Sequence, residues 1–186
     1  VRISRVLRDI PARFIIAGLK DSLRDVLKER MKQLGTECHC IRCREYGHRT
    51  QDNRAIGEPR LVRMDYQAAG GKEIFLSFED EGETLFGLLR MRIQAKPIAS
   101  LGQEADGNLA LIRELHVYGA EVPLQQQNPA AAQHKGLGKA LLAEAERIAR
   151  EEFQVPLMVV LSGTGAKEYY RSEGYRSQSD YMVKRL

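Results

Sequence analysis

The chain has 186 residues, of which 43% are hydrophobic and 29% are charged, enough apolar sequence to bury the core of one globular domain with a small appendage. This composition excludes a disordered chain, and no apolar run is long enough to span a membrane. All three cysteines lie within residues 38–43, so a secreted disulfide framework is excluded as well. We therefore expect a soluble, cytoplasmic protein.

Charge is unevenly distributed along the chain. Residues 1–63 carry 15 Lys and Arg against 8 Asp and Glu, a net charge of +7, whereas residues 64–186 carry 14 against 17. A basic segment joined to a mildly acidic body suggests a polyanionic partner for the basic part. An ordinary solvated basic surface is the equal alternative.

Hydrophobic periodicity predicts the secondary structure. Apolar residues at helical spacing predict a helix over 21–34, which Gly35 would end. Sequence typical of strands begins near residue 60, and the predicted strands cover 61–67, 73–78, 84–93, 109–118, 156–161 and 174–183. A loop is predicted over 94–108, with further helices over 137–152 and 166–172. This order predicts a mixed α/β sheet with helices on its faces.

A glycine-containing segment precedes the long predicted helix. Its pattern is Gln133-x-x-Gly136-x-Gly138, with Lys135 and Lys139 beside the glycines. The first N–H groups of a helix have no partner within it, and the helix dipole places partial positive charge there. Glycines let a pyrophosphate approach such a backbone closely. The pattern therefore predicts a phosphate site, although a lone glycine pair is often only a turn.

This loop resembles the acetyl-coenzyme A loop of the GNAT acetyltransferases, whose pattern is Gln/Arg-x-x-Gly-x-Gly/Ala. The context agrees, because an antiparallel meander precedes the loop, and an amphipathic helix and a buried strand follow it. The resemblance implies a GNAT-type fold, a mixed, mostly antiparallel sheet flanked by helices.

Further stretches resemble one family in particular, the Elongator catalytic subunits. Residues 111–119, 133–138, 162–165 and 169–175 are similar to the C-terminal half of that family, and residues 8–11 and 38–43 to its interdomain linker. The resemblance covers essentially the whole chain. It implies a basic linker with a helix and a zinc-binding segment over 1–59, and a GNAT-type acetyltransferase domain over 60–186.

The resemblance also implies a tRNA-modifying enzyme. This half would bind tRNA at the anticodon region and cleave acetyl-coenzyme A for carboxymethylation at carbon 5 of the wobble uridine. It would act with a radical S-adenosylmethionine domain, whose S-adenosylmethionine and iron–sulfur cluster belong to the missing half. No membrane partner is expected, and a homodimer is left open. The alternatives are a protein (histone-type) lysine N-acetyltransferase and a non-catalytic RNA-binding module.

Two adjacent tyrosines, Tyr169 and Tyr170, lie on the predicted helix over 166–172. GNAT enzymes commonly use a tyrosine there to protonate the departing coenzyme A thiolate. Neighbours on a helix point about 100° apart, so only one can do so while the other packs. The family pattern favours Tyr170, and a core tyrosine with a satisfied hydroxyl is the alternative for either.

A carboxylate and an imidazole lie on one face of the predicted strand 109–118. Glu114 and His116 could polarise a nucleophile, with Glu114 as general base, or could simply satisfy each other. Backbone groups near them are expected to contact the pantetheine arm. The predicted coenzyme-binding residues are Leu115, His116, Val117, Gln133, His134, Lys135, Gly136, Leu137, Gly138, Lys139 and Tyr170.

The cysteine cluster has the spacing Cys38-x-Cys40-x-x-Cys43, with His48 five residues beyond. Three thiolates and an imidazole suit a structural, tetrahedral zinc ion, and the spacing differs from iron–sulfur patterns. His48 is predicted as the fourth ligand, with His39 or a residue outside the chain as alternatives. Three reduced cysteines without a special role are the simpler interpretation.

The basic segment supplies the candidate contacts to tRNA phosphates. The predicted residues are Arg42, Arg44, Arg49, Arg54, Arg60 and Arg63.

Overall fold

The chain folds as two compact units, Val1–Ala55 and Ile56–Leu186. The computed structural model describes residues 12–18, 22–51, 55–95, 98–105, 108–119 and 136–186. The predicted domain boundary at residues 59 and 60 falls just after the division between the units. Within the described parts of the chain, no helix combines the length and the apolar character needed to cross a membrane.

The first unit contains three helices. They are α1 (Leu23–Gln33), α2 (Ile41–Arg44) and α3 (Tyr46–Gln51). Helix α1 ends where Gly35 adopts a φ of 66°, and the amide of Thr36 donates to the Met31 carbonyl at 2.9 Å. This is the glycine stop expected from the sequence. The two short helices fall in a stretch for which the sequence analysis predicted no helix.

The second unit is built on a seven-stranded sheet. The strands are β1 (Arg60–Ala68), β2 (Gly71–Glu79), β3 (Leu85–Gln94), β4 (Leu109–Val117), β5 (Leu157–Leu161), β6 (Arg176–Gln178) and β7 (Tyr181–Arg185). Their order in the sheet is β1-β2-β3-β4-β5-β7-β6. Only β4 and β5 pair in parallel, and every other neighbouring pair is antiparallel. The predicted mixed, mostly antiparallel sheet is therefore confirmed.

Two α-helices lie among the described residues of the second unit, α4 (Leu137–Arg147) and α5 (Lys167–Ser172). Helix α4 continues as a π-helical turn over Ile148–Glu152. One face of α4 packs on β2, β3 and β4, and its buried side chains include Leu141, Ala145 and Ile148. Apolar residues at a spacing of three and four produce this buried stripe.

A second, smaller hydrophobic cluster involves the strands β4, β5 and β7. Leu109 of β4, Val159 of β5 and Val183 of β7 pack with Leu101, which belongs to a 3-10 segment over Ala99–Ala105. The sequence analysis predicted a plain loop for this segment. At the β2–β3 turn, the buried carboxylate of Asp80 accepts hydrogen bonds from the amides of Thr84 and Gly57.

The end of the chain differs from the prediction. One strand was expected over 174–183, but the structure has two short strands, β6 and β7, which pair as a hairpin. Ser179 turns the chain with a φ of 52°, a conformation for which serine is a weak signal. The hairpin places β7 beside β5 and thereby completes the sheet.

Candidate functional site

The inner strands β4 and β5 lie side by side for only part of their length. Their parallel pairing joins residues 110–112 to residues 158–160 and ends there. Beyond Ile112, β4 continues to Val117 along β3 alone, while β5 ends at Leu161 along β7. Within the described residues, one edge of β4 over 113–117 has no strand beside it, so its backbone groups can bind an extended ligand. We call this opening the strand cleft.

A β-bulge lies where the two strands part. Arg90 of β3 pairs with Glu114, but Met91 pairs with Ile112, so Arg113 is the extra residue of β4. Bulges increase the local twist, interrupt the ladder and often lie next to active sites. The bulge therefore marks the point from which β4 diverges from β5.

The N-terminus of α4 lies at the end of the strand cleft. Gly136 precedes the helix with a φ of 94°, a left-handed conformation that glycine adopts without strain. A Cβ atom on Gly138 would lie 3.3 Å from Val117 Cγ2 and 3.3 Å from the Tyr169 hydroxyl. Helix α4 therefore starts in close contact with the end of β4, as the predicted phosphate loop requires. The predicted residues Gln133, His134 and Lys135 lie outside the described residues.

Helices α4 and α5 meet at the same place. Besides the approach of Tyr169 to Gly138, Lys139 Nζ lies 3.2 Å from the carboxylate of Glu173. The Lys139 side chain is 64% exposed, so this ion pair is only weakly stabilising. The first turn of α4 thus carries an exposed lysine that can bind an anion.

The two tyrosines occupy different environments. Tyr170 is buried, and its ring meets that of Tyr175 edge-on at 5.6 Å. Tyr169 is 37% exposed and directs its hydroxyl toward Gly138. Burial raises the pKa of the Tyr170 phenol, and burial followed by the charge of Glu173 raises the pKa of Tyr169 to about 12. Both phenols therefore hold their protons at neutral pH.

A buried network lies beside Tyr170. The Tyr175 hydroxyl donates to Glu146 Oε1 at 3.0 Å, and Lys184 Nζ donates to Glu146 Oε2 at 2.7 Å. Burial, and next the charge of Glu146, raise the pKa of Tyr175. The sequence analysis missed this network, although Glu146 interrupts the apolar stripe of α4 and could have indicated it. The network fixes the ring against which Tyr170 packs.

Glu114 and His116 have other partners than each other. Arg90 Nη2 lies 3.2 Å from Glu114 Oε2, a pairing between neighbouring strands that the sequence analysis did not consider. The ring of His116 lies 4.6 Å from that of Tyr118. A carboxylate already paired with a guanidinium is a weaker candidate for a general base, so the base role of Glu114 stays a prediction.

The three cysteines are brought together in the first unit. The sulfur atoms of Cys38, Cys40 and Cys43 lie within 4.8 Å of one another. Tetrahedral Zn–S bonds of about 2.3 Å place sulfurs about 3.8 Å apart, so this donor set fits a metal of that kind. Burial raises the pKa of Cys40, but hydrogen bonds from the Cys43 backbone and from the thiols of Cys38 and Cys43 outweigh it and lower the pKa to about 7. The cluster could therefore hold a metal ion.

The histidines predicted near the cluster are not part of this close group. His48 Nε2 lies 3.8 Å from the Glu45 carboxylate, and His39 is exposed. A groove of about 230 Å³ is nevertheless lined by His48 together with Cys38 and Cys43. The choice of fourth ligand stays a prediction.

The predicted tRNA-contacting arginines divide by exposure. Arg42 is exposed and Arg44 half-buried, whereas Arg49 is buried with its guanidinium 3.9 Å from Glu37. In the second unit, Arg63 bonds to two carboxylates, and Arg60 lies 3.2 Å from Glu81. Arg54 lies outside the described residues. Burial argues against a phosphate contact by Arg49, because a buried guanidinium cannot reach a nucleic acid.

The mixed sheet with its early split between β4 and β5, followed by α4, is the arrangement that the sequence resemblance predicted. No family model matches the chain. The chain is 58% identical over 186 residues to the tRNA uridine(34) acetyltransferase of Dehalococcoides mccartyi (strain CBDB1). This match covers all of this chain and 40% of that protein. The chain is 44% identical over 188 residues to human Elongator complex protein 3, covering all of this chain and 34% of that protein.

A solved structure agrees with these relatives. The archaeal Methanocaldococcus infernus Elp3 with an N-terminal deletion superimposes with a TM-score of 0.82 at 44% identity, covering 98% of this chain and 44% of that one. The chain is therefore homologous, over its whole length, to part of the tRNA uridine(34) acetyltransferases and Elongator complex protein 3. It spans 40% or less of the length of these two curated relatives.

Proposed function

We propose that this chain is the acetyl-coenzyme A-binding part of a tRNA-modifying enzyme. The observation that carries the proposal is the strand cleft, which ends at the N-terminus of α4 beside Gly138. A pantetheine arm would pair with the edge of β4 that faces the strand cleft, at Leu115, His116 and Val117. The pyrophosphate would then reach the amides of the first turn of α4, where the helix dipole favours negative charge.

The pyrophosphate site would combine backbone and side chains. Leu137, Gly138 and Lys139 form the first turn of α4, and Gly136 caps it. The preceding residues Gln133, His134 and Lys135 complete the pattern by sequence. Lys139 would exchange its exposed partner Glu173 for phosphate oxygens, which is a small change because exposed ion pairs are weak.

Tyr170 is the proposed proton donor to the coenzyme A thiolate, as the family pattern indicates. Its buried phenol retains its proton at neutral pH and can therefore act as a general acid. Tyr169 would line the wall of the cleft beside Gly138. Glu114, paired with Arg90, need not act as a base in this scheme.

The whole reaction would be carboxymethylation at carbon 5 of the wobble uridine of tRNA, as the sequence resemblance implies. The relative from Dehalococcoides mccartyi is named a tRNA uridine(34) acetyltransferase. Acetyl-coenzyme A bound to this chain would supply the acetyl group, and a radical S-adenosylmethionine domain with an iron–sulfur cluster would act with it. The alternative of a protein lysine acetyltransferase is not favoured, because the relatives are named for tRNA and Glu114 is paired.

Zinc is the metal we propose for the cysteine cluster. Cys38, Cys40 and Cys43 would supply three thiolates, and His48 is the proposed fourth ligand. The pKa of Cys40 is lowered to about 7, which favours the thiolate form that zinc binds. Burial and the neighbouring thiols instead raise the pKa of Cys43 to about 11, so that zinc would have to displace the Cys43 proton. The ion would act structurally, by joining the end of α1 to α2.

Replacing Gly138 by valine should abolish or strongly weaken coenzyme A binding. The new side chain would meet Val117 and Tyr169 and would block the approach of the pyrophosphate. We expect the Kd for coenzyme A, measured by calorimetry, to rise by about tenfold or more. Gly165→Val is the matched control, since a Cβ there meets no atom within 4 Å. Equal affinity of the two variants would exclude this loop as the site.

Tyr170→Phe should slow acetyl-coenzyme A cleavage without weakening coenzyme A binding. Loss of a general acid lowers kcat by about a hundredfold, whereas the ring still packs against Tyr175. Thiol release in the presence of tRNA measures the rate, and calorimetry measures the affinity. Tyr169→Phe is the comparison, with a nearly unchanged rate. If only Tyr169→Phe slows the reaction, the role of acid passes to Tyr169.

One zinc ion should bind per chain, and Cys43→Ser should lose it. Zinc binding contributes directly to the folding of small sites, so the first unit should also lose local order. Elemental analysis of protein purified without chelators gives the stoichiometry. Thr36→Ser, a similar change near the cluster, should retain the ion. Absence of stoichiometric metal from the unmodified chain would disprove the zinc site.

Removing charge at Arg42 and Arg60 should weaken tRNA binding and flatten its salt dependence. Each lost phosphate contact lowers the slope of log K against log salt by about one, because fewer counterions are released. Arg150→Gln, at another exposed arginine, should leave the slope unchanged. Filter binding at several salt concentrations provides the measurement. An unchanged slope in the Arg42 and Arg60 double variant would show that both arginines are ordinary solvated side chains.

A further inference from the structure

A buried carboxylate on β2, two strands away from β4, has no role in the scheme above. Glu73 of β2 is 1% exposed, and its Oε1 accepts hydrogen bonds from Arg92 at 3.1 Å and from Arg113 at 2.8 Å. Burying a carboxylate is costly unless it is paired, and each of these charge-assisted bonds is stronger than a neutral one. Glu73 therefore binds both guanidinium groups firmly.

Both hydrogen bonds to this carboxylate go to the same oxygen. Glu73 Oε2 is buried and has no hydrogen-bond partner among the residues that the structure describes. Such atoms are uncommon in native proteins, and each calls for an explanation. An apolar residue in β2 would release both guanidinium groups, so the reason for a carboxylate at this position lies in its partners.

The partner Arg113 provides that reason. It is the extra residue of the β4 bulge, one position beyond the last residue of β4 that pairs with β5. Its guanidinium reaches past β3 to β2, so Glu73 ties the bulge to the interior of the sheet. Arg92, in contrast, belongs to the regular part of β3 and also bonds to the Ala69 carbonyl at the β1–β2 turn.

We infer that Glu73 is a positioning residue, which holds the β4 bulge through Arg113 and thereby fixes the edge of β4 that faces the strand cleft. The inference rests on the proposed function, since that edge is the proposed wall for the pantetheine arm. Without the tie, the bulge can shift along β4, and the edge no longer keeps one distance from β5. Coenzyme A would then bind a fluctuating cleft and lose affinity.

The test compares Glu73→Gln with Arg92→Gln in the 186-residue chain. The first variant keeps the size of the side chain but removes the charge that holds Arg113. The second removes the other bond to the same oxygen and leaves the bulge tied. Deuterium exchange over residues 113–117 reports on the bulge, calorimetry with coenzyme A reports on the cleft, and urea unfolding reports on overall stability.

We expect Glu73→Gln to raise both the exchange rate over 113–117 and the Kd for coenzyme A by about tenfold, the size of one charge-assisted hydrogen bond. Arg92→Gln should lower stability to a similar degree without changing either quantity. Arg113→Gln, a change at an exposed side chain, should raise the exchange rate and the Kd as Glu73→Gln does. Arg113→Lys keeps the positive charge and should bind coenzyme A more tightly than Arg113→Gln. If Glu73→Gln does not fold, the two Arg113 variants test the inference in its place.

Two results would overturn the inference. The first is an equal rate of deuterium exchange over residues 113–117 in Glu73→Gln and Arg92→Gln when the two variants have the same stability. The second is an exchange rate in Arg113→Gln that does not differ from that of the unmodified chain. The unmodified chain tests the proposed function separately. If it does not bind coenzyme A, the proposed function fails, whereas the exchange comparison still decides whether Glu73 holds the bulge.

Discussion

The organisation of the second unit depends on the early end of the parallel pairing between β4 and β5. Since the ladder stops after Ile112 and Val160, β4 continues to Val117 with no strand on that edge among the described residues. Parallel strands need a crossover between them, and α4 belongs to this crossover, with its first turn at the end of β4. The close approach of Gly138 to Val117 follows from this geometry, because a larger residue would push the helix start away.

The distribution of charge has a structural explanation that composition alone does not provide. Arg63 bonds to Asp65 and to Glu152, and Arg147 bonds to Glu144, Glu151 and Glu152. These groups join β1 to the end of the α4 region. Arg63, which was counted in the basic segment 1–63, therefore belongs to an ion-pair network of the second unit. Net charge indicates a class of partner, but only the structure shows which cations are already engaged.

Sequence patterns predicted the elements with strong periodicity and the residues of a known motif. The buried stripe of α4 and the turn at Gly136 were visible because both are local. The pairing of Arg90 with Glu114, and of Arg113 with Glu73, depends on strand register, and the bulge shifts that register by one residue. A bulge without a glycine leaves no clear local signal, so these partners could not be predicted.

Buried carboxylates support both sides of the strand cleft. Glu146 holds Tyr175 and Lys184 beneath Tyr170 on the β5 side, and Glu73 holds Arg113 on the β4 side. Among the described residues, the only other buried carboxylate is Asp80, which fixes a turn. A buried ion pair adds little net stability compared with apolar packing, but it restricts its partners to one geometry. Such pairs on the two sides of the cleft therefore restrict its width, which the proposed meeting of a thioester and a proton donor within hydrogen-bond distance would require.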